Sequence, residues 1–74
     1  MNQMEFDPEY VFSHHEATPE RLAHWEAIHA GAKKFAEVIL VHTPPSHDQK
    51  TALRRLREAA MFANAAVALD GKLK

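Results

Sequence analysis

The sequence predicts an all-α protein: an antiparallel two-helix hairpin preceded by an N-terminal arm. Two segments carry apolar residues at alternating three- and four-residue steps, which is the period of helices that pack along one seam. The prolines Pro44 and Pro45 separate these segments and allow only a tight turn, so the two helices must run antiparallel. We expect the arm to occupy residues 1–17 and the hairpin domain residues 18–74.

The arm shows no sustained helical or strand period, although it contains several aromatic residues. The first helix is expected to begin at Thr18 and Pro19, because a threonine oxygen can cap free backbone N–H groups and proline is tolerated in the first turn. Apolar residues outside the seam indicate contact with more than one neighbour. The predicted seam is Trp25, Ile28, Ala32, Phe35, Ile39 and His42, and the additional apolar residues are Leu22, Val38, Leu40 and Val41.

The second helix is expected to begin at Ser46, which has the S-x-x-Q capping-box spacing with Gln49. Asp70 and Gly71 supply its stop signal. Its many alanines could reflect helix propensity alone, but Met61 on the same turns favours a second interpretation, in which several helices meet there. The predicted seam is Leu53, Leu56, Ala60, Ala63 and Val67, and the alanines are Ala59, Ala60, Ala63, Ala65, Ala66 and Ala68.

Composition predicts one domain that needs partner subunits. The chain has 74 residues, of which 46% are hydrophobic and 26% charged. Such short domains bury only about 60% of the surface that the unfolded chain exposes, so they usually need disulfides, a metal or oligomerisation. Cysteine is absent, which excludes disulfides. We therefore expect a homo-oligomer.

Charge and hydropathy limit the possible partners and the location. No apolar run approaches the roughly 20 residues that span a bilayer, and the start MNQMEFDPEY lacks the basic segment of a signal peptide. We expect a cytosolic protein with no membrane partner. The formal net charge of −1 provides no global field for a nucleic-acid polymer, but a local pocket could still bind a small anion.

Neither metal binding nor catalysis is indicated. The six histidines are not spaced three or four apart on a helix, and no cysteine is present to complete a metal site. We expect His42 to cap or pack, and His24 and His47 to be solvated. Ser13 beside two histidines has the composition of a hydrolytic site but no supporting motif, and there is no glycine-rich phosphate loop. We therefore expect no enzyme activity and no cofactor.

Two basic regions have competing interpretations. Lys50, Arg54 and Arg57 share one face of the second helix and are expected to be solvated, with Glu58 neutralising part of the charge. The second region mixes aromatic rings, which stack on nucleobases, with donors that hold phosphates. This region could bind a nucleotide-like ligand. Alternatively, its aromatic residues could simply pack the arm against the hairpin, and the spacing of the residues alone favours this second interpretation. Its members are Tyr10, Phe12, His14, His15, Trp25, His29, Lys33 and Lys34.

Residues 35–68, FAEVILVHTPPSHDQKTALRRLREAAMFANAAVA, resemble the signature of the phage anti-CBASS cyclic-nucleotide sponges, which share a hairpin domain with some anti-Thoeris proteins. That signature has F-A-x-x-I, then P-P-S-x-x-Q, then A-L-x-x-L-x-E-A-x-M-W-A-N-A-A-I-A. Phe62 stands in place of its tryptophan, and upstream the run FSHH is similar to an F-x-Y-H element. The matching residues are Phe35, Ala36, Ile39, Pro44, Pro45, Ser46, Gln49, Ala52, Leu53, Leu56, Glu58, Ala59, Met61, Ala63, Asn64, Ala65, Ala66, Val67 and Ala68.

This resemblance implies an all-helical homohexamer in the host cytoplasm that captures cyclic oligonucleotide messengers, cyclic dinucleotides first and possibly trinucleotides, without cleaving them. It also implies pockets shared between protomers, in which His14 takes the place of an arm tyrosine and His29 that of a basic residue on the first helix. The expected ligand-binding residues are Tyr10, Phe12, His14, His15, His29 and Lys33. The alternatives are a helical module that binds a host protein and a small nucleic-acid-binding hairpin.

Overall fold

The computed structural model describes residues 6–71, which form three helices and no strand. A short helix α1 spans Pro8–Phe12, and two long helices, α2 and α3, span Pro19–His42 and His47–Ala68. The described part of the chain measures 47 × 36 × 16 Å. The predicted all-α class is confirmed. Parts of the two predicted domain ranges, 1–5 and 72–74, lie outside the described residues.

The predicted helix starts are confirmed at the level of single hydrogen bonds. Thr18 Oγ1 accepts from the backbone N–H of Arg21 at 3.1 Å, and Ser46 Oγ accepts from that of Gln49 at 3.1 Å. The reciprocal half of the predicted capping box is wrong, because the Gln49 side chain does not return to Ser46. Its Nε2 instead donates to the carbonyl and hydroxyl oxygens of Thr43, both at 3.1 Å, and thereby links the two sides of the turn.

The end of α3 is a Schellman motif. The N–H of Gly71 donates to the Ala66 carbonyl at 2.8 Å, and the N–H of Asp70 donates to the Val67 carbonyl at 3.2 Å. Asp70 and Gly71 both have positive φ, 56° and 71°. Aspartate tolerates this left-handed conformation better than most residues, and glycine adopts it freely. The stop predicted from Asp70 and Gly71 is therefore confirmed.

Helices α2 and α3 pack as an antiparallel pair, and one hydrogen bond marks their register. Trp25 Nε1 donates to the Asn64 carbonyl at 3.1 Å across the two helices. Every member of the predicted α3 seam is partly buried, as expected. Two members of the predicted α2 seam are wrong: Phe35 and His42 are exposed, and Ala36 is the partly buried residue between Ala32 and Ile39. The true seam therefore takes two consecutive four-residue steps, which follow a straight helix of period 3.6 more closely than strict alternation does.

The protomer has almost no core of its own. Ile39, at 8% exposure, is the one buried residue among those described. Hydrophobic side chains cover much of the surface, including the residues predicted to extend beyond the seam. The large exposed ones are Phe6, Phe12, Leu22, Phe35, Val38, Leu40, Val41, Met61 and Phe62.

The segment before α2 contains a helical turn that periodicity did not reveal. Asp7 Oδ1 caps α1 by accepting from the Glu9 N–H at 3.0 Å, and Pro8 occupies its first position. This is the same cap-and-proline signal that marks the start of α2, but α1 is too short to show an apolar period. No helix in the described range 6–71 is long and apolar enough to cross a membrane.

Candidate functional site

A shallow groove of about 280 Å³ lies between α2 and α3 near the middle of the hairpin. Its floor is made of partly buried apolar side chains, and its rim is polar and basic. None of the described residues that line it carries a carboxylate. The floor residues are Ile28, Ala32, Ala36, Leu53, Leu56 and Ala60, and the rim residues are His29, Lys33, Arg57 and Asn64.

The basic rim groups come from both helices and are all exposed. His29 and Lys33 lie one turn apart on α2, and Arg57 lies on α3. The side chains of these three residues make no hydrogen bond or ion pair with any other residue in the described range. By contrast, Arg55 pairs with Glu58 at 3.0 Å, on the outside of α3. The groove therefore presents an apolar surface beside basic groups whose donors are available to an anion.

Asn64 closes one end of this groove. Its backbone carbonyl accepts the bond from Trp25, while its side-chain Oδ1 is shielded from solvent and has no donor among the described residues. A buried carbonyl oxygen without a donor is costly. This oxygen therefore marks a point at which the isolated protomer leaves a polar group unsatisfied.

Two of the predicted site residues, Tyr10 and His15, form bonds within the protomer. The Tyr10 hydroxyl donates to the Leu69 carbonyl at 2.7 Å, which attaches the N-terminal segment to the end of α3. His15 Nε2 lies 2.7 Å from the Tyr10 carbonyl oxygen, so that nitrogen acts as the donor. The two rings meet edge to face, with centroids 4.8 Å apart. These contacts hold the segment against the hairpin.

The two other predicted residues of this segment face solvent. Phe12 is 79% exposed, and its ring centroid lies 6.2 Å from that of Phe6. His14 is also exposed. Neither lines the α2–α3 groove. The aromatic ring and the imidazole are accessible for contacts outside their own protomer.

The structure thus divides the six predicted site residues into two groups. His29 and Lys33 share the groove, whereas Tyr10, Phe12, His14 and His15 lie in the segment attached at Leu69. Leu69 follows the last groove residue, Asn64, by five positions, which corresponds to roughly 7.5 Å along the helix axis, and none of the four residues of the segment lines the groove. Within one protomer the two groups do not lie in the same site. That they form one binding site together stays a prediction.

Arg57 is the groove residue that the sequence interpretation missed, because it was assigned to a solvated basic stripe. The hairpin register could have revealed it. Seven residues forward from Trp25 is Ala32, and seven residues back from its partner Asn64 is Arg57. Arg57 therefore lies level with Ala32 and its neighbour Lys33. The length of the turn between α2 and α3 determines which residues of the two helices lie side by side, so this register can be derived only when that length is known.

A second depression, of about 510 Å³, lies at the end of the hairpin where α2 begins. Its lining mixes acidic Glu20 and Asp70 with Arg21 and His24, and the Arg21 guanidinium already donates to the Glu16 carbonyl at 2.7 Å. This balance of charge suits an anionic ligand less well than the groove does. His24 and His47 are exposed, as predicted, and within residues 6–71 no group of three or more potential ligands is placed to hold a metal ion.

The family model described as the Acb2/Tad1 hairpin domain matches residues 7–68. This chain belongs to the Acb2/Tad1 hairpin-domain family. The assignment confirms the resemblance seen in the sequence and points to a phage anti-defence sponge function in general. The match to the Acb2/Tad1 family includes α1 and the predicted site residues of the N-terminal segment. No curated protein and no solved structure matches the chain.

Proposed function

We propose that this protein binds and sequesters cyclic oligonucleotide immune messengers, cyclic dinucleotides first, and so blocks activation of the host CBASS effector. The observation that carries the proposal is the α2–α3 groove, which has an apolar floor, a basic rim and no carboxylate among its lining residues in the range 6–71. A nucleobase can pack its face on such a floor while a phosphodiester meets the rim. His29 and Lys33 are the proposed phosphate contacts.

The site is completed, in this proposal, by a second copy of the chain. Phe12 and His14 are exposed and lie away from the groove of their own protomer, so they are free to contact ligand in a neighbour's groove. Tyr10 and His15 hold the segment that carries them. The exposed hydrophobic surface and the unpaired Asn64 Oδ1 support an obligate homo-oligomer, and the family resemblance leads us to expect a hexamer.

Light scattering tests the assembly directly. At micromolar concentration the protein should be a defined oligomer, because one hairpin leaves too much apolar surface uncovered. A stable, folded monomer under these conditions would reject the assembly.

A thermal-shift screen against cyclic di- and trinucleotides and cyclic ADP-ribose isomers tests ligand binding. A ligand at 100 times its Kd stabilises the folded state by about 2.7 kcal/mol, which corresponds to roughly 10–20 °C for a domain of this size. A cyclic dinucleotide should give the largest shift. If no cyclic nucleotide shifts the melting temperature, the sponge proposal fails.

Binding should leave the ligand intact, because the groove contains no nucleophile with an activating base. Ligand released by heating the complex should coelute with the input in chromatography. Linear products formed at an enzymatic rate would overturn sequestration in favour of cleavage.

Cyclic trinucleotides should bind much more weakly than dinucleotides. In the sponge family that the sequence resembles, cyclic trinucleotides bind in a pocket where three protomers meet, and this pocket depends on a basic residue near the end of the second hairpin helix. In this chain the matching position is Leu69, which is followed by Asp70. Without a positive charge at this position, the phosphates of a trinucleotide would form weaker electrostatic interactions there. Equal affinities for the two ligand classes in calorimetry would contradict this proposal.

The alternative is a module that binds a host protein, and the exposure of Phe12 beside Phe6 is the observation that favours it. The same thermal-shift screen separates the two functions, because such a module would not respond to nucleotides. Phe12→Ser should then abolish host-protein binding.

A further inference from the structure

We propose that Arg57 of α3 is the anchoring residue for the ligand phosphate, so that the ligand is held between both helices and not by α2 alone. This inference rests on the proposed nucleotide-binding function and adds a residue to the same site. No motif in the sequence marks Arg57. Its assignment comes from its place in the groove.

Position is the first argument. Arg57 lines the groove with His29 and Lys33, although it comes from the opposite helix. The bond between Trp25 and Asn64 sets the register that puts Arg57 level with Lys33. Arg54, one turn earlier on α3, is equally exposed and does not line the groove. The groove therefore distinguishes two arginines that the sequence presents as one stripe.

Charge is the second argument. The basic groups of the groove are not neutralised by any described residue, whereas the guanidinium of Arg55 is occupied by Glu58 and that of Arg21 by the Glu16 carbonyl. Among the residues that the structure describes, an anion in the groove would face three basic groups and no carboxylate. That environment makes the charge of the ligand a requirement for binding.

The chemistry of guanidinium is the third argument. Its planar fork donates two parallel hydrogen bonds to one phosphate, while lysine acts as a compact point charge and histidine donates one bond. Arg57 is therefore the rim residue best suited to fix the direction of a phosphodiester. The groove volume, about 280 Å³, is near the lower limit for small-molecule sites and suits one nucleotide unit. A nucleoside without phosphate should bind far more weakly than a cyclic dinucleotide.

The test compares the assembled wild-type protein with single variants by calorimetry, using cyclic di-AMP and cyclic GMP-AMP as probes and adenosine as the uncharged control. Arg57→Ala should lower affinity for the better probe about 10- to 100-fold and reduce its salt dependence. Arg57→Lys should recover part of the affinity. Arg54→Ala, the matched control, should stay within about twofold of wild type. Adenosine should show no measurable binding to any of them.

The outcomes separate the two proposals. If wild type binds a cyclic dinucleotide and Arg57→Ala behaves like Arg54→Ala, the anchoring role is wrong and the sponge function stands. If wild type binds no cyclic nucleotide, the sponge function fails and the anchoring role with it. Arg57→Gln provides the same charge removal should the alanine variant fail to assemble, and wild-type affinity in that variant would equally reject the inference.

Discussion

The groove and the N-terminal segment both contain predicted site residues, but the polar groups of these residues are bonded differently in the two regions. In the segment, the Tyr10 hydroxyl and a His15 nitrogen are already bonded within the protomer. In the groove, the side chains of His29 and Lys33 have no partner in the described range. In the sequence, the predicted site residues of both regions belong to one cluster of aromatic and basic residues.

This comparison shows that the residue type alone does not tell whether a polar side chain is available to a ligand. What matters is whether the side chain already forms a hydrogen bond within the protomer. A tyrosine that donates to a backbone carbonyl would have to break that bond before its hydroxyl could bind a ligand. A lysine whose ammonium faces solvent exchanges water for phosphate at lower cost. We therefore expect substitutions in the groove to act mainly on affinity, and those in the segment mainly on stability.

After Arg57, the largest effect should come from Lys33. Lys33→Ala removes a charged donor from the groove rim and should weaken cyclic-dinucleotide binding about 10- to 100-fold, since hydrogen bonds to charged groups contribute about 1.5–3 kcal/mol. Lys34→Ala is the matched control, because Lys34 is adjacent and exposed but outside the groove. Calorimetry should find the control within about twofold of wild type. Equal losses in both variants would remove the distinction between groove and surface.

The next effect concerns pH. A phosphate binds a cationic imidazole more tightly than a neutral one, so a ligand phosphate beside His29 should couple binding to proton uptake. Affinity should then rise as pH falls from about 8 to 6, by up to about tenfold per pH unit for one proton taken up.

Two variants assign this dependence to His29. His29→Lys should bind with little pH dependence, because lysine stays charged throughout that range. His29→Ala should flatten the profile and weaken binding as well. Wild-type titrations that give one affinity from pH 8 to 6 would exclude His29 as the phosphate contact and leave Lys33 and Arg57 as the candidates.

The smallest expected effect lies in the N-terminal segment. Tyr10→Phe removes the hydroxyl that bonds Leu69 and keeps the ring, so it should cost about 1 kcal/mol of stability and lower the melting temperature by roughly 4–8 °C. Glu16→Gln, a change at an exposed side chain of the same segment, is the thermal control. Affinity should change less in Tyr10→Phe than in Lys33→Ala. A larger loss of affinity would show that the phenol itself contacts the ligand.

The fold was predictable where local chemistry decides it. Thr18, Ser46 and Asp70 act within one turn of chain, so caps and stops could be read directly from the sequence. The α2 seam was harder, because Phe35 and Ala36 are adjacent and only the facing helix decides which one turns inward. Phe35 is the more hydrophobic of the two, yet the close approach of the helices admits the smaller residue.

The candidate site was only partly predictable for a related reason. His29 and Lys33 share one face of one helix, so their proximity follows from their spacing. Arg57 reaches them only through the hairpin register, which depends on the turn and on the bond from Trp25. The bond from Tyr10 to Leu69 depends on where the chain folds back, which no local spacing encodes.

The turn between α2 and α3 also affects how quickly the hairpin of each protomer forms. Pro44 and Pro45 restrict the backbone before folding begins, and Gln49 then closes the turn onto Thr43. Helical proteins with such local topology fold within microseconds to milliseconds, whereas subunit encounter depends on concentration. A newly made chain should therefore form its helices quickly, but it should reach a stable fold only when other copies cover its exposed apolar side chains. The number of copies synthesised, and not the folding time of each, would then set the moment at which the proposed capture of messengers begins during infection.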